Sequence, residues 1–121
     1  NPIILLGDFN ATENSNEIHG ILAKGEFIDS FRNKNPNSWG FTSEHVILQN
    51  TPNSVSNHIK QDNIKTFQMN YNSEPKRIDY IFLSSHFSKN IIRSQIILNA
   101  MHKNKFYLSD HFGVLTEVLV P

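Results

Sequence analysis

The sequence predicts a layered α/β fold of the α+β kind, with a mixed and largely antiparallel sheet. Three observations predict it. The run Ile3-Ile4-Leu5-Leu6 is apolar and stops at Gly7, as a short buried strand does. One helical pattern follows, with Ile18, Ile21 and Leu22 spaced i, i+3, i+4. Beyond residue 77 the chain reads mostly as strands.

Each element has local grounds. Gly7-Asp8-Phe9-Asn10 reads as a turn with two polar side chains at its tip. Asn14 or Ser15 can cap the helix, Glu17 suits its first turn, and Gly25 sits where a helix is left. Phe27 to Phe31 is short and apolar, either a strand or an ordered turn. Residues 32–76 are rich in Asn, Ser, Pro and Lys. They read as a long loop carrying one or two short strands, with apolar islands at Trp39-Gly40-Phe41, Val46-Ile47-Leu48 and Phe67-Gln68-Met69. Strands are expected over 78–83, 91–98 and 112–120.

A length of 121 residues suits one domain, 1–121. With 38% hydrophobic and 18% charged residues the composition is that of a folded globular chain, not a disordered one. No apolar run approaches the roughly 20 residues that span a bilayer. Zero Cys excludes disulfides, thiolate zinc sites and cysteine nucleophiles. Eleven basic against eleven acidic residues argue against a dedicated nucleic-acid binder, though not against a local basic patch. Compartment is not legible. The chain opens Asn1-Pro2 directly before a strand and closes as another finishes, which suggests a piece of something longer.

Three polar clusters stand beside apolar strands: Asp8 with Asn10, Asp79, and Asp110 with His111. Burying a carboxylate near a strand end costs several kcal/mol unless it is paired or metal-bound. Singly, each is an ordinary turn residue; together they can converge on one rim, where α/β folds gather their sites. Carboxylates with an amide suit Mg²⁺ or Mn²⁺, and a His held by a carboxylate can act as a base or stabilise charge on a phosphoryl oxygen. Asp79 is placed to orient His111. With no Cys and no G-x-S-x-G elbow, the nucleophile is water, and the constellation is that of metal-assisted phosphoester hydrolysis.

Gly7-Asp8-Phe9-Asn10, Arg77-Ile78-Asp79-Tyr80-Ile81-Phe82 and Leu108-Ser109-Asp110-His111-Phe112-Gly113-Val114 closely resemble, in order and rough spacing, the signature blocks of the endonuclease/exonuclease/phosphatase superfamily. Asp29-Ser30-Phe31 and Gly40-Phe41-Thr42 resemble its intervening segments. The resemblance implies a four-layer sandwich of two mixed sheets with helices outside, of which this chain is the C-terminal half. It implies that Asp8 positions the attacking water and touches the metal, and that Asn10 donates to the phosphate. Asp110 would be a metal ligand, and His111 would contact the scissile phosphate with Asp79 hydrogen-bonded to it.

The family domain is about twice as long, near 250 residues. Its N-terminal half brings an Asn, a metal-binding Glu and another His or Tyr, for which seven residues before Asp8 leave no place. Glu13 and Glu17 read as solvent-facing, and Glu44 falls in the loop. The chain alone is therefore expected to be inactive or nearly so, and to cover its exposed sheet face with the missing half or by self-association.

The other singular residues have plain readings. His19, His45, His58, His86 and His102 show no metal spacing and read as surface groups. Trp39 and Phe41 read as loop anchors in the core in preference to groove-lining residues. Arg77 either reaches a phosphate as a substrate-binding group or is a solvated edge charge. Lys103 and Lys105 read as a solvated turn, and the Asn10-Ala11-Thr12 sequon is set aside because a glycan there would block the site. The substrate stays undecided between nucleic acid and a phospholipid or small phosphodiester. Phosphodiester cleavage of the nuclease type leads. A sphingomyelinase-like hydrolase and a non-catalytic phosphate-binding half-domain are the alternatives. Inositol polyphosphate phosphatases rank low.

Overall fold

A computed structural model describes residues 1–44, 74–100 and 107–120. In chain order the elements are strand β1 (Ile4–Asp8), helix α1 (Asn16–Leu22), strand β2 (Phe27–Asp29), helix α2 (Ser30–Lys34), and strands β3 (Asp79–Ser84), β4 (Ile91–Ile97) and β5 (Gly113–Val118). A 3₁₀ turn over Ser85–Phe87 joins β3 to β4. Two antiparallel sheets result: three strands in the order β1-β3-β2, and the pair β4-β5. The expected α/β class with largely antiparallel sheets is what the fold displays.

Alternation along β3 makes the layers. Tyr80 and Phe82 face one way and pack with Ala11 and Ile18, so α1 covers that face. Leu83 faces the other way and packs with Phe87 and Ile91, so β4–β5 cover that one. Phe9, on the turn after β1, sets its ring edge-on to Tyr80 at 5.8 Å and to Phe82 at 5.2 Å. Helix α1 starts as expected: Ser15 caps it by accepting from the Ile18 amide, and Glu17 lies in the first turn.

Three expectations need correction. The run at 3–6 is not buried: Ile4 and Leu6 are 60% and 64% exposed. The reason is topological: among the described residues β1 is an edge strand paired only with β3, and the core that β4–β5 build on β3 does not include it. Second, Phe27 to Phe31 is neither strand nor turn alone. Asp29 ends β2 and caps α2, its Oδ1 accepting from the Phe31 and Arg32 amides. Third, Trp39 is not a core anchor: it is 76% exposed, its ring stacked on Phe41 at 5.6 Å. Gly40 between them is buried at φ +66°, where an added Cβ would lie 2.2 Å from Phe31 Cε1. Only glycine lets the loop press that closely on Phe31.

Of the loop expected over 32–76, the described ends meet in one bridge, Ser43 to Lys76. The islands at Val46 and Phe67, together with His45, His58, His102, Lys103 and Lys105, lie outside the described residues. His19 and His86 are exposed, as expected of surface groups.

Candidate active site

The antiparallel register of β1 on β3 sets Asp8 directly opposite Asp79. The next pair along the ladder is hydrogen-bonded, the Phe9 amide donating to the Ile78 carbonyl at 2.9 Å. Asp8 and Asp79 therefore form a non-hydrogen-bonded pair, the kind whose side chains approach most closely. Two like charges so placed repel, and the arrangement calls for a cationic group between or beside them.

His111 is beside them. Its Nδ1 lies 2.8 Å from Asp79 Oδ2, both side chains half-buried. A carboxylate only accepts, so Nδ1 carries the proton and donates, which leaves Nε2 for another partner. Ligand atoms of Asp8, Asp79 and His111 all lie within 4.8 Å of one another. Asp110 belongs to no such group among the described residues. Its Oδ1 instead accepts from the Ser109 hydroxyl at 3.4 Å, and that hydroxyl accepts from the His111 amide at 3.2 Å. Asn10 stands at φ +48°, a left-handed conformation that Asn tolerates, and its amide donates to Asp8 Oδ1 at 2.8 Å. Asp8 thus also fixes the turn that presents Asn10.

Thr42 fastens the pieces together, and sequence reasoning gave it no role beyond a family-like segment. Its hydroxyl accepts from the Ile78 and Asp79 amides, at 3.2 and 3.3 Å, while its carbonyl accepts from Phe112 at 2.8 Å. One fully buried threonine therefore ties the base of Asp79 to the residue after His111.

Arg77 corrects its reading as a solvated edge charge. It is 4% exposed, its Nη2 is 2.6 Å from Asp29 and 2.9 Å from Glu13, and its guanidinium lies 4.6 Å over the Tyr80 ring. Burial pushes its pKa down, but Asp29 and Glu13 outweigh that and raise it above the ordinary value. It is the counter-ion of Asp29 and Glu13. Burial likewise pushes the Tyr80 hydroxyl well above its usual pKa. Its one proton is shared between the carbonyls of Arg77 at 2.7 Å and Ala11 at 2.9 Å.

Glu13, expected to face solvent, is half-buried and bridges Arg32 and Arg77. The hydrogen bond from Arg32 is the main cause that holds its carboxyl below the usual 4.5. A depressed carboxyl stabilises the fold fully above that value and loses its contribution as pH falls through the folded pKa. Melting temperature is expected to drop as pH is lowered below 4.5. Glu13→Gln should flatten that acid limb, as followed by circular dichroism; an acid limb unchanged in the variant would refute the assignment.

Two carboxylates and an imidazole form a donor set that suits a hard divalent cation only in part, since Mg²⁺ takes about six ligands, mostly oxygen, and keeps several waters. Among the described residues no helix is long and apolar enough to cross a membrane.

No curated protein matches the chain. Among solved structures, an endonuclease/exonuclease/phosphatase family protein from Leptotrichia buccalis C-1013-b is similar at 25% identity and a TM-score of 0.57. The match covers 99% of this chain and 36% of that one. A 3' phosphatase, NExo (D146N) from Neisseria bound to a product DNA hairpin, shares the fold at 17% identity and a TM-score of 0.61, covering 98% of this chain and 46% of that one. The chain thus spans less than half the length of either structure. A sequence profile of the Endonuclease/Exonuclease/phosphatase family matches residues 1–111, and on that match the chain belongs to this family.

Proposed function

We propose that the protein is a divalent-metal-dependent phosphoester hydrolase that cleaves phosphodiesters with water as nucleophile. The observation that carries this reading is the convergence of Asp8, Asp79 and His111, with the His111–Asp79 hydrogen bond at 2.8 Å. Family membership supports phosphoester chemistry in general.

On this reading Asp8 and Asp79 would hold Mg²⁺ or Mn²⁺, with Asp110 close by in sequence as a further oxygen donor. The ion, when bound, neutralises charge developing on the phosphoryl oxygens. His111 presents Nε2 to the scissile phosphate, and Asp79 keeps its ring in one tautomer and orientation. Asn10 donates from its side-chain amide to a phosphate oxygen. Asp8 accepts a proton from the attacking water. A cation that takes about six ligands needs more donors than these residues offer, so waters, substrate or residues outside this chain complete the shell.

The structural neighbour with a product DNA hairpin makes nucleic acid the first arm of the test. The natural gene product is to be assayed with Mn²⁺ on plasmid, single-stranded oligonucleotide, sphingomyelin and a small aryl phosphodiester. The expected result is cleavage of the nucleic acids and the aryl phosphodiester, abolished by EDTA. Cleavage of sphingomyelin alone would move the assignment to a phospholipid hydrolase. Absence of turnover on every arm, together with no thermal shift in Mn²⁺, would leave a non-catalytic phosphate-binding fold.

A further inference from the structure

We infer that Trp39 is a stacking platform for an unpaired base of the substrate, and hence that the substrate is a single-stranded nucleic acid. This rests on the phosphodiesterase reading above. Burying an indole is strongly favoured, yet Trp39 is 76% exposed. Phe41 covers one of its faces, the rings 15° from parallel, and among the described residues no second ring stacks on the other.

The exposure is built in rather than a loose loop. Arg32 Nη1 donates to the carbonyls of Asn35 and Ser38 at 2.8 and 2.7 Å, which pins the backbone just before Trp39. Gly40 behind it is wedged against the buried Phe31 ring. Thr42 ahead of it is clamped to Asp79. An aromatic ring held outward at both sides is preorganised to receive a flat partner.

Two cavities with shared lining residues adjoin each other, one at the platform and one at Asn10. A cavity of about 520 Å³ is lined by Trp39, Phe41, Thr12 and Lys76, among others. A second, of about 300 Å³, is lined by Asn10 and Ile78 and shares Thr12 and Lys76 with the first. Asn10 and the indole thus line adjoining cavities, with Lys76 in the lining of both. In the larger cavity Arg32 and Arg77 are taken up by Glu13 and Asp29, which leaves Lys76 and Glu74 as the lining charges outside these pairs. Lys76, shared by both cavities, supplies a cation that can meet a backbone phosphate. Alternating phosphate and base contacts are how single strands are held without base reading.

The test is equilibrium binding in EDTA, which halts turnover. An oligothymidylate is titrated while following the emission that Trp39→Phe removes, beside an abasic oligomer of equal length. The base-containing oligomer should quench, and the abasic one should not. Trp39→Ala should weaken oligothymidylate binding about tenfold or more, while Trp39→Phe, which can still stack on Phe41, should stay close to the parent affinity. Equal affinity of Trp39→Ala and parent, quenching by the abasic oligomer, or no binding of either oligomer would each overturn the inference. Turnover of the base-free aryl phosphodiester by the parent protein tests the hydrolase reading separately. That activity without oligomer binding sinks only the platform, and base-dependent quenching without any turnover sinks only the hydrolase.

Discussion

His111→Ala is expected to lower turnover by the natural gene product about 10²- to 10⁴-fold, the range for losing a positioned proton-transfer or charge-stabilising group. Asp79→Asn should fall in the same range. Asn can turn a donor toward Nδ1, which selects the wrong tautomer and withdraws the charge that steadies an imidazolium. Because the two act as one unit through a 2.8 Å hydrogen bond, their effects should not add. In the His111→Ala background, Asp79→Asn should change the rate far less than it does alone. The variant also carries a prediction of opposite sign for the fold. Removing one charge from the opposed Asp8–Asp79 pair should leave metal-free stability unchanged or raised. Additive rate losses, or a clearly lowered metal-free melting point for Asp79→Asn, would contradict the pairing described here.

Phe82→Ala should destabilise the protein by about 3–5 kcal/mol, the usual cost of emptying a buried phenyl site. Phe82 is fully buried, stacks on Tyr80 at 5.1 Å and receives the edge of Phe9 at 5.2 Å. Its neighbours are two rings fixed by their own contacts, so the site has little freedom to collapse. Against a typical total of about 5–15 kcal/mol, such a loss is large. Urea unfolding with an unchanged slope would measure it, and Phe82→Leu should lose less. Phe9 separates Asp8 from Asn10, so the cavity should also loosen the turn and depress turnover at temperatures where the variant is folded. A shift below about 1 kcal/mol would mean that the cluster packs less tightly than its geometry implies.

The site residues were more legible in the sequence than their surroundings. Asp8, Asp79 and His111 each adjoin an apolar strand run, and such runs announce strands through period and composition. What no run announces is register. That Asp8 faces Asp79 follows from a pairing between residues some seventy positions apart, and local pattern is blind to it. The same blindness explains Arg77 and Glu13. Each is an ordinary charge in sequence, and their joint burial with Asp29 exists only once β2 and β3 lie side by side. Asp29 was readable in principle, as an Asp directly before Ser30-Phe31 in an N-cap position, but the short apolar segment around it read equally as a strand or an ordered turn. Trp39 misled for a different reason. Aromatic residues are usually sheltered, and that general preference conceals the exceptions which a rigid loop holds in solvent.

The strand that carries Asp8 is also the least sheltered of the sheet, with a backbone edge open on the side away from β3 among the described residues. A slip of one residue along that single ladder would swing Asp8 to the opposite face and dismantle the cluster with Asp79. Any chain that docks along this edge adds a second set of rungs and makes such a slip costlier. Assembly at that edge would thereby act as a latch on the alignment of Asp8 with Asp79.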